Sequence, residues 1–132
     1  MTYRELILAI KNMRVSGVTT ILAAPPDKLD TADLPALFPL MPSQQATVGT
    51  FSSYLVPKTK QLQLALFIGP VGQSTLADDY NLTIELMDAV DDAMIALDGS
   101  ITDSLSWRSD AGVLSMGETN YRGITITLTL EG

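Results

Sequence analysis

The sequence predicts an α+β domain: a mostly antiparallel sheet of four to five strands, a long helix packed on one face, and a short N-terminal helix. Three patterns carry that prediction. Residues 74–97 repeat apolar side chains at three- and four-residue spacings, the period of a helix. Gln61–Ile68 and Ile124–Leu130 each alternate aliphatic with largely polar residues over the length of a strand. The first residues join a capping signature to a second, shorter helical repeat. With 132 residues, the expectation is one domain over 1–132 with a single core.

The elements follow in chain order. Thr2 with Glu5 three residues on forms a capping-box pattern, Leu6, Ile7, Ile10 and Met13 recur at helical spacing, and Gly17 is a stop signal. A helix is predicted from Thr2 to Arg14, with Arg4, Lys11 and Arg14 on its wet side. Between Ala24 and Ser43 stand five of the seven prolines, Pro25, Pro26, Pro35, Pro39 and Pro42, interleaved with Leu34, Leu37, Phe38, Leu40 and Met41. Prolines at this density forbid a long regular element. The stretch is assigned as a proline-rich arm at 24–43, whose apolar teeth would lose little entropy on docking to a neighbour. The other reading is a loop that covers its own core.

Thr47–Leu55 reads as a strand anchored by Val48, Phe51 and Tyr54, with Gly49 marking a bulge. In Gln61–Ile68, Leu62, Leu64, Leu66 and Ile68 share one face, and Gln61, Gln63, Ala65 and Phe67 share the other. Leu105–Arg108 and Val113–Met116 read as short strands joined through Ser109-Asp110-Ala111-Gly112. In the last strand Ile124, Ile126, Leu128 and Leu130 alternate with Thr125, Thr127 and Thr129, as expected where one side of a sheet meets helices.

The long helix starts at Ser74 or Thr75 and runs to Leu97, stopping at Asp98-Gly99. Leu76, Tyr80, Ile84, Met87, Val90, Met94 and Leu97 form its stripe, which Leu82, Leu86, Ala89 and Ala93 widen to roughly 200°. A sheet face needs about half of that. The helix is therefore expected to meet a second partner: the first helix, the arm or another subunit. Glu85, Asp88 and Asp92 with Asn81 form the wet face.

Composition excludes much chemistry. There is no cysteine and no histidine, which removes disulfides, thiolate zinc sites, thiol nucleophiles and histidine bases. A net charge of −7 and a pI near 4.2 do not suit a phosphate backbone, so no sequence-specific nucleic-acid binding is expected. Hydrophobic residues at 46% argue against disorder. Charged residues, at 17%, fall below the roughly one quarter usual for globular domains. With a positive mean hydropathy, this predicts apolar surface covered by other subunits. Arg4, Glu5 and Lys11 interrupt any signal-peptide core, and no stretch reaches the roughly 20 apolar residues of a membrane span. A soluble protein made in a reducing cytoplasm is expected.

No motif assigns a catalytic, cofactor-binding or metal-binding residue. Gly69-Pro70-Val71-Gly72-Gln73-Ser74-Thr75 joins strand to helix, but Gln73 stands where a phosphate-binding loop needs lysine. Glu85, Asp88, Asp91 and Asp92 read as a solvated helix face, since no irregular D-x-D-x-D-G loop presents them to a metal. Lys58 and Lys60 lack a neighbouring base, as do Ser52-Ser53 and Ser104-Ser106. The chain is expected not to be an enzyme. Charge is distributed unevenly instead: residues 1–61 carry six basic and four acidic side chains, residues 62–132 two basic and eleven acidic. Such a molecule can meet copies of itself head to tail, and closed head-to-tail contacts make rings.

The order of elements carries a resemblance. A short N-terminal helix, Leu34-Pro35-Ala36 within a proline-rich stretch, and a strand pair are followed by a long helix, short strands and a last strand opened by Tyr121-Arg122-Gly123. Over nearly its whole length the chain resembles the tail terminator proteins of long-tailed bacteriophages, of the lambda minor tail protein U type. The resemblance implies a structural virion protein at the tail–head junction: a hexameric ring that caps the tail tube, stops its growth and meets the head connector. Its partners would be copies of itself, the tail tube protein and the connector or neck protein, with no cofactor and no membrane. Interface candidates are Asp88, Asp91 and Asp92 pairing with Lys58 and Lys60 for register, and Phe38, Met41 and Tyr54 as apolar anchors. Two alternatives stand beside it. One is a neck or head-completion protein; the other is a cytoplasmic dimeric α+β module that binds a small ligand between helix and sheet.

Overall fold

The computed structural model describes residues 1–46 and 58–131 (backbone alone for 43–46 and 58). Helix α1 spans Tyr3–Asn12. The Thr2 hydroxyl accepts the Glu5 backbone N–H at 3.1 Å and donates to the Glu5 carboxylate at 3.2 Å. The helix ends short of Arg14 because Met13 is already extended, and Gly17, at φ 85°, makes the turn that follows. Strand β1 (Thr20–Ile21), a 3₁₀ turn at Thr31–Asp33, β2 (Ala36–Pro39) and β3 (Ser43–Ala46) lead to β4 (Lys58–Pro70). Helix α2 (Leu76–Ser100), β5 (Ser104–Met116) and β6 (Thr119–Glu131) complete the described chain.

The sheet order is β1-β2-β4-β6-β5. Strand β2 pairs with Leu64–Phe67 of β4 and β3 with Lys58–Gln61, so these two short strands lie in line along one side of β4. The pairing of β1 with β2 is parallel and every other is antiparallel. This is the predicted α+β architecture, a mostly antiparallel sheet with a long helix and a short N-terminal helix.

Two stretches differ from expectation. Residues 36–39 of the proline-rich segment are an internal strand rather than part of a docking arm. All four are buried between β1 and β4, with Leu37 facing the helices and Phe38 the opposite side. Pro35 and Pro39 stand at the ends of this strand, where a missing N–H is tolerated, and Leu40 resumes the ladder by donating to the Gln63 carbonyl at 2.7 Å. Nor is Ser109-Asp110-Ala111-Gly112 a hairpin. These residues lie in the middle of β5, paired in register with Ile126, Thr125, Ile124 and Gly123. The reversal is at Gly117-Glu118, with Gly117 at φ 62°, the positive-φ first position that a two-residue II′ turn requires. The strand expected at Thr47–Leu55 lies outside the described residues.

The core has two parts. Leu62, Leu64, Leu66 and Ile68 of β4 and Ile124, Ile126, Leu128 and Leu130 of β6 face Leu6 and Ile10 of α1 and Leu86, Val90, Met94 and Leu97 of α2. On the other side Phe38, Ala65, Phe67 and Tyr121 form a second cluster, with ring centroids 5.2 Å (Phe38–Phe67) and 5.1 Å (Phe67–Tyr121) apart. Gly123 sits where β4, β5 and β6 approach closely. A Cβ there would lie 2.8 Å from the Leu66 carbonyl oxygen and 2.6 Å from Leu114 Cδ1. Backbone cannot yield that space, which fixes glycine at this position.

Candidate functional site

Helix α2 exposes more apolar surface than a helix resting on a sheet requires. Thr75 caps it, its hydroxyl accepting the Asp78 N–H at 3.2 Å, and the Ser100 hydroxyl donates to the Leu97 carbonyl at 2.8 Å in the last turn. Val90, Met94 and Leu97 of the predicted stripe are buried, while Leu76, Tyr80 (65% exposed) and Ile84 are not. The cause is geometric: each four-residue step turns about 400°, so a run of such steps drifts about 40° per step around the helix. At Tyr80 and Ile84 the drift has carried the side chains off the sheet, and Ile95 (61% exposed) returns to the same flank, whereas Leu76 shares the angular position of buried Met94 and is exposed as the first residue of the helix.

The second partner of α2 is, on one side, α1. Ala9, Asn12 and Met13 of α1 and Ala93, Ala96 and Leu97 of α2 line a shared groove. The opposite flank of α2, with Tyr80, Ile84, Asp91 and Ile95, lies toward edge strand β5. There the Trp107 indole N–H donates to the Asp91 carboxylate at 3.1 Å. Strand β5 pairs with β6 alone among the described residues, so its other edge presents unpaired backbone groups. Arg122 of β6 holds Asp79 at 3.3 Å and ties the first turn of α2 to the sheet.

Charge is divided between the two helices. Helix α2 carries seven carboxylates and no cation. Among the described residues, Glu85, Asp88, Asp92 and Asp98 have no ion-pair partner, and neither do Arg4, Lys11 and Arg14 on or beside α1. With α1 turning its Ala9–Met13 side to α2, the 100° increment places Arg4 and Lys11 on the flank away from α2, beside exposed Leu8 (50%).

The predicted interface residues scatter. Phe38, at 1% exposure, is a core residue of the second cluster and no surface anchor, because alternation along β2 turns it inward onto Phe67. Met41, at 86%, is fully presented just after β2. Tyr54 lies outside the described residues, as does the side chain of Lys58. The Lys60 ammonium donates to the Met1 carbonyl at 2.6 Å and stands 5.7 Å from the Tyr3 ring centroid, so it anchors the start of α1. Asp88, Asp91 and Asp92 are exposed on α2, and none of them meets Lys60. The residues missed by sequence reasoning are Leu8, Ile95 and Val113, exposed apolar side chains recognisable only once the buried sides are known.

The Gly69–Thr75 segment is a turn followed by a helix cap, with Gly72 at φ 92° and Asp78 and Asp79 in the first turn of α2. Two carboxylates there complement the helix dipole and repel an anion. Among the described residues no three carboxylates gather as a metal site would need, and no helix is long and apolar enough to cross a membrane. A groove of about 220 Å³ lies between α2 and the sheet, lined by Leu76, Tyr80, Thr83, Ala111, Gly112 and the Arg122–Asp79 pair. In comparison with known proteins, no family model and no curated protein matches the chain.

Proposed function

We propose that the protein is a structural virion component: a tail terminator that assembles as a hexameric ring at the tail–head junction, caps the tail tube and meets the connector. The observation that carries this reading is the apolar flank of α2. Leu76, Tyr80, Ile84 and Ile95 remain exposed although the core beneath is complete. A monomer rarely leaves so extended an apolar surface uncovered. The unpaired charges of opposite sign on α1 and α2 favour repeated contacts between copies over a single closed pair. The resemblance in element order supplies the ring size and the partners. Surfaces rather than a reaction centre then perform the work, without enzyme chemistry or cofactor. The net charge of −7 keeps passing DNA from adhering.

The ligand-binding module draws on the groove beside α2, yet that groove is smaller than the roughly 300–1,000 Å³ of ordinary ligand pockets. Polymerising tail tube protein with and without the chain, followed by electron microscopy, tests the proposal. Shorter tubes with a ring at one end are expected. Binding to portal complexes but not to tube ends would identify a neck protein instead. A tight dimer carrying a metabolite, indifferent to tubes, would establish the module.

A further inference from the structure

We infer that copies of this chain join head to tail through their helices, the outer flank of α1 in one copy seated on the outer flank of α2 in the next. This rests on the ring reading above and specifies the two surfaces that close it. On α2, Ile84 and Ile95 lie within about 20° of one another around the helix axis, with Asp88, Asp91 and Asp92 between them along it. All five are exposed. On α1, Leu8 stands between Arg4 and Lys11, three further exposed side chains.

The two surfaces match in kind: an apolar patch with carboxylates on one, an apolar side chain with cations on the other. Except for Asp91, held by Trp107, none of these charges has a partner among the described residues. They also lie on opposite flanks of the helix pair, because α1 and α2 turn their remaining sides toward each other. One copy therefore cannot satisfy itself, and a two-fold pair using this flank of α2 twice would oppose Asp88, Asp91 and Asp92 to the same carboxylates of the other copy. A second copy offering α1 removes both problems. Arg4 and Lys11 are seven residues apart, about 10 Å along a helix. Carboxylates at 88, 91 and 92 give each cation a partner whichever way the incoming helix runs. The ion pairs set orientation and partner choice, and burial of Leu8 against the isoleucines supplies the affinity.

The absence of cysteine makes a direct test simple. Leu8→Cys, Ile84→Cys and Ile95→Cys are made singly in the full chain and treated with a short bis-maleimide. Each variant alone is expected to stay uncross-linked, and Leu8→Cys mixed with either isoleucine variant is expected to give a covalent dimer. Adding Arg4→Glu and Lys11→Glu to the Leu8→Cys chain should cut the yield on the order of fivefold. Asp88→Lys with Asp92→Lys in the other chain should restore it. Circular dichroism of each variant confirms that it is folded. Self-cross-linking of any single variant, or no cross-linked mixture while the unaltered chain still assembles, overturns the head-to-tail contact and leaves the ring standing. If the unaltered chain fails to associate even beside tube ends, ring and contact both fall.

Discussion

Replacing Phe67 by alanine is expected to destabilise the chain by about 3–5 kcal/mol, the usual cost of removing a buried aromatic ring. Phe67 is the hinge of the second core cluster, 5.2 Å from the Phe38 ring and 5.1 Å from that of Tyr121. Its removal leaves both neighbours facing a void that β2, held at the sheet's edge side by only four residue pairs, would have to collapse into. For a domain of this size the melting temperature should fall roughly 10–20 °C. Thermal denaturation followed by circular dichroism, at fixed protein concentration, measures it. A loss below about 1 kcal/mol would mean that the cluster of Phe38, Phe67 and Tyr121 is absent from the folded chain.

The second large effect distinguishes the two sides of α2. Val90→Asp places a carboxylate at a fully buried site whose neighbours are aliphatic, with no cation to receive it. Burying such a group costs several kcal/mol, comparable with the roughly 5–15 kcal/mol that holds a domain together, so this variant should be unfolded or severely weakened. Ile84→Asp makes the same change about one and two-thirds turns earlier, on the exposed flank. There the expected cost is within about 0.5 kcal/mol, since water solvates the new charge. Self-association should nonetheless be lost. Denaturant titration reads the first difference, and sedimentation velocity the second. Equal destabilisation by both variants would show that the outer flank is packed inside the chain.

The legible parts of the fold were those in which a short-range signal and the tertiary structure agree. Thr2 with Glu5 and Thr75 with Asp78 mark helix starts by chemistry that acts over three residues. The aliphatic rows of β4 and β6 follow from strand pleating alone. Where long-range pairing decides, the sequence misleads. Ser109-Asp110-Ala111-Gly112 has turn composition, yet thirteen consecutive pairings with β6 draw it straight and leave the reversal to Gly117-Glu118. Strand β2 is buried on both faces and bracketed by prolines, so it shows neither alternation nor a clean boundary. Phe38 therefore reads as a surface anchor until β4 is placed beside it. The candidate surface was half visible: the excess apolar arc of α2 could be counted, but which side α1 covers could not. That is why Ile84 reads as core and Ile95 passes unnoticed.

Native mass spectrometry of the unaltered chain, alone over a range of concentrations and after mixing with tail tubes, measures most directly whether the exposed flank is closed by sibling copies. A discrete hexamer, dissociating when Ile84→Asp is introduced, is the result expected. A single mass of 14.2 kDa under every condition, tubes included, would contradict it.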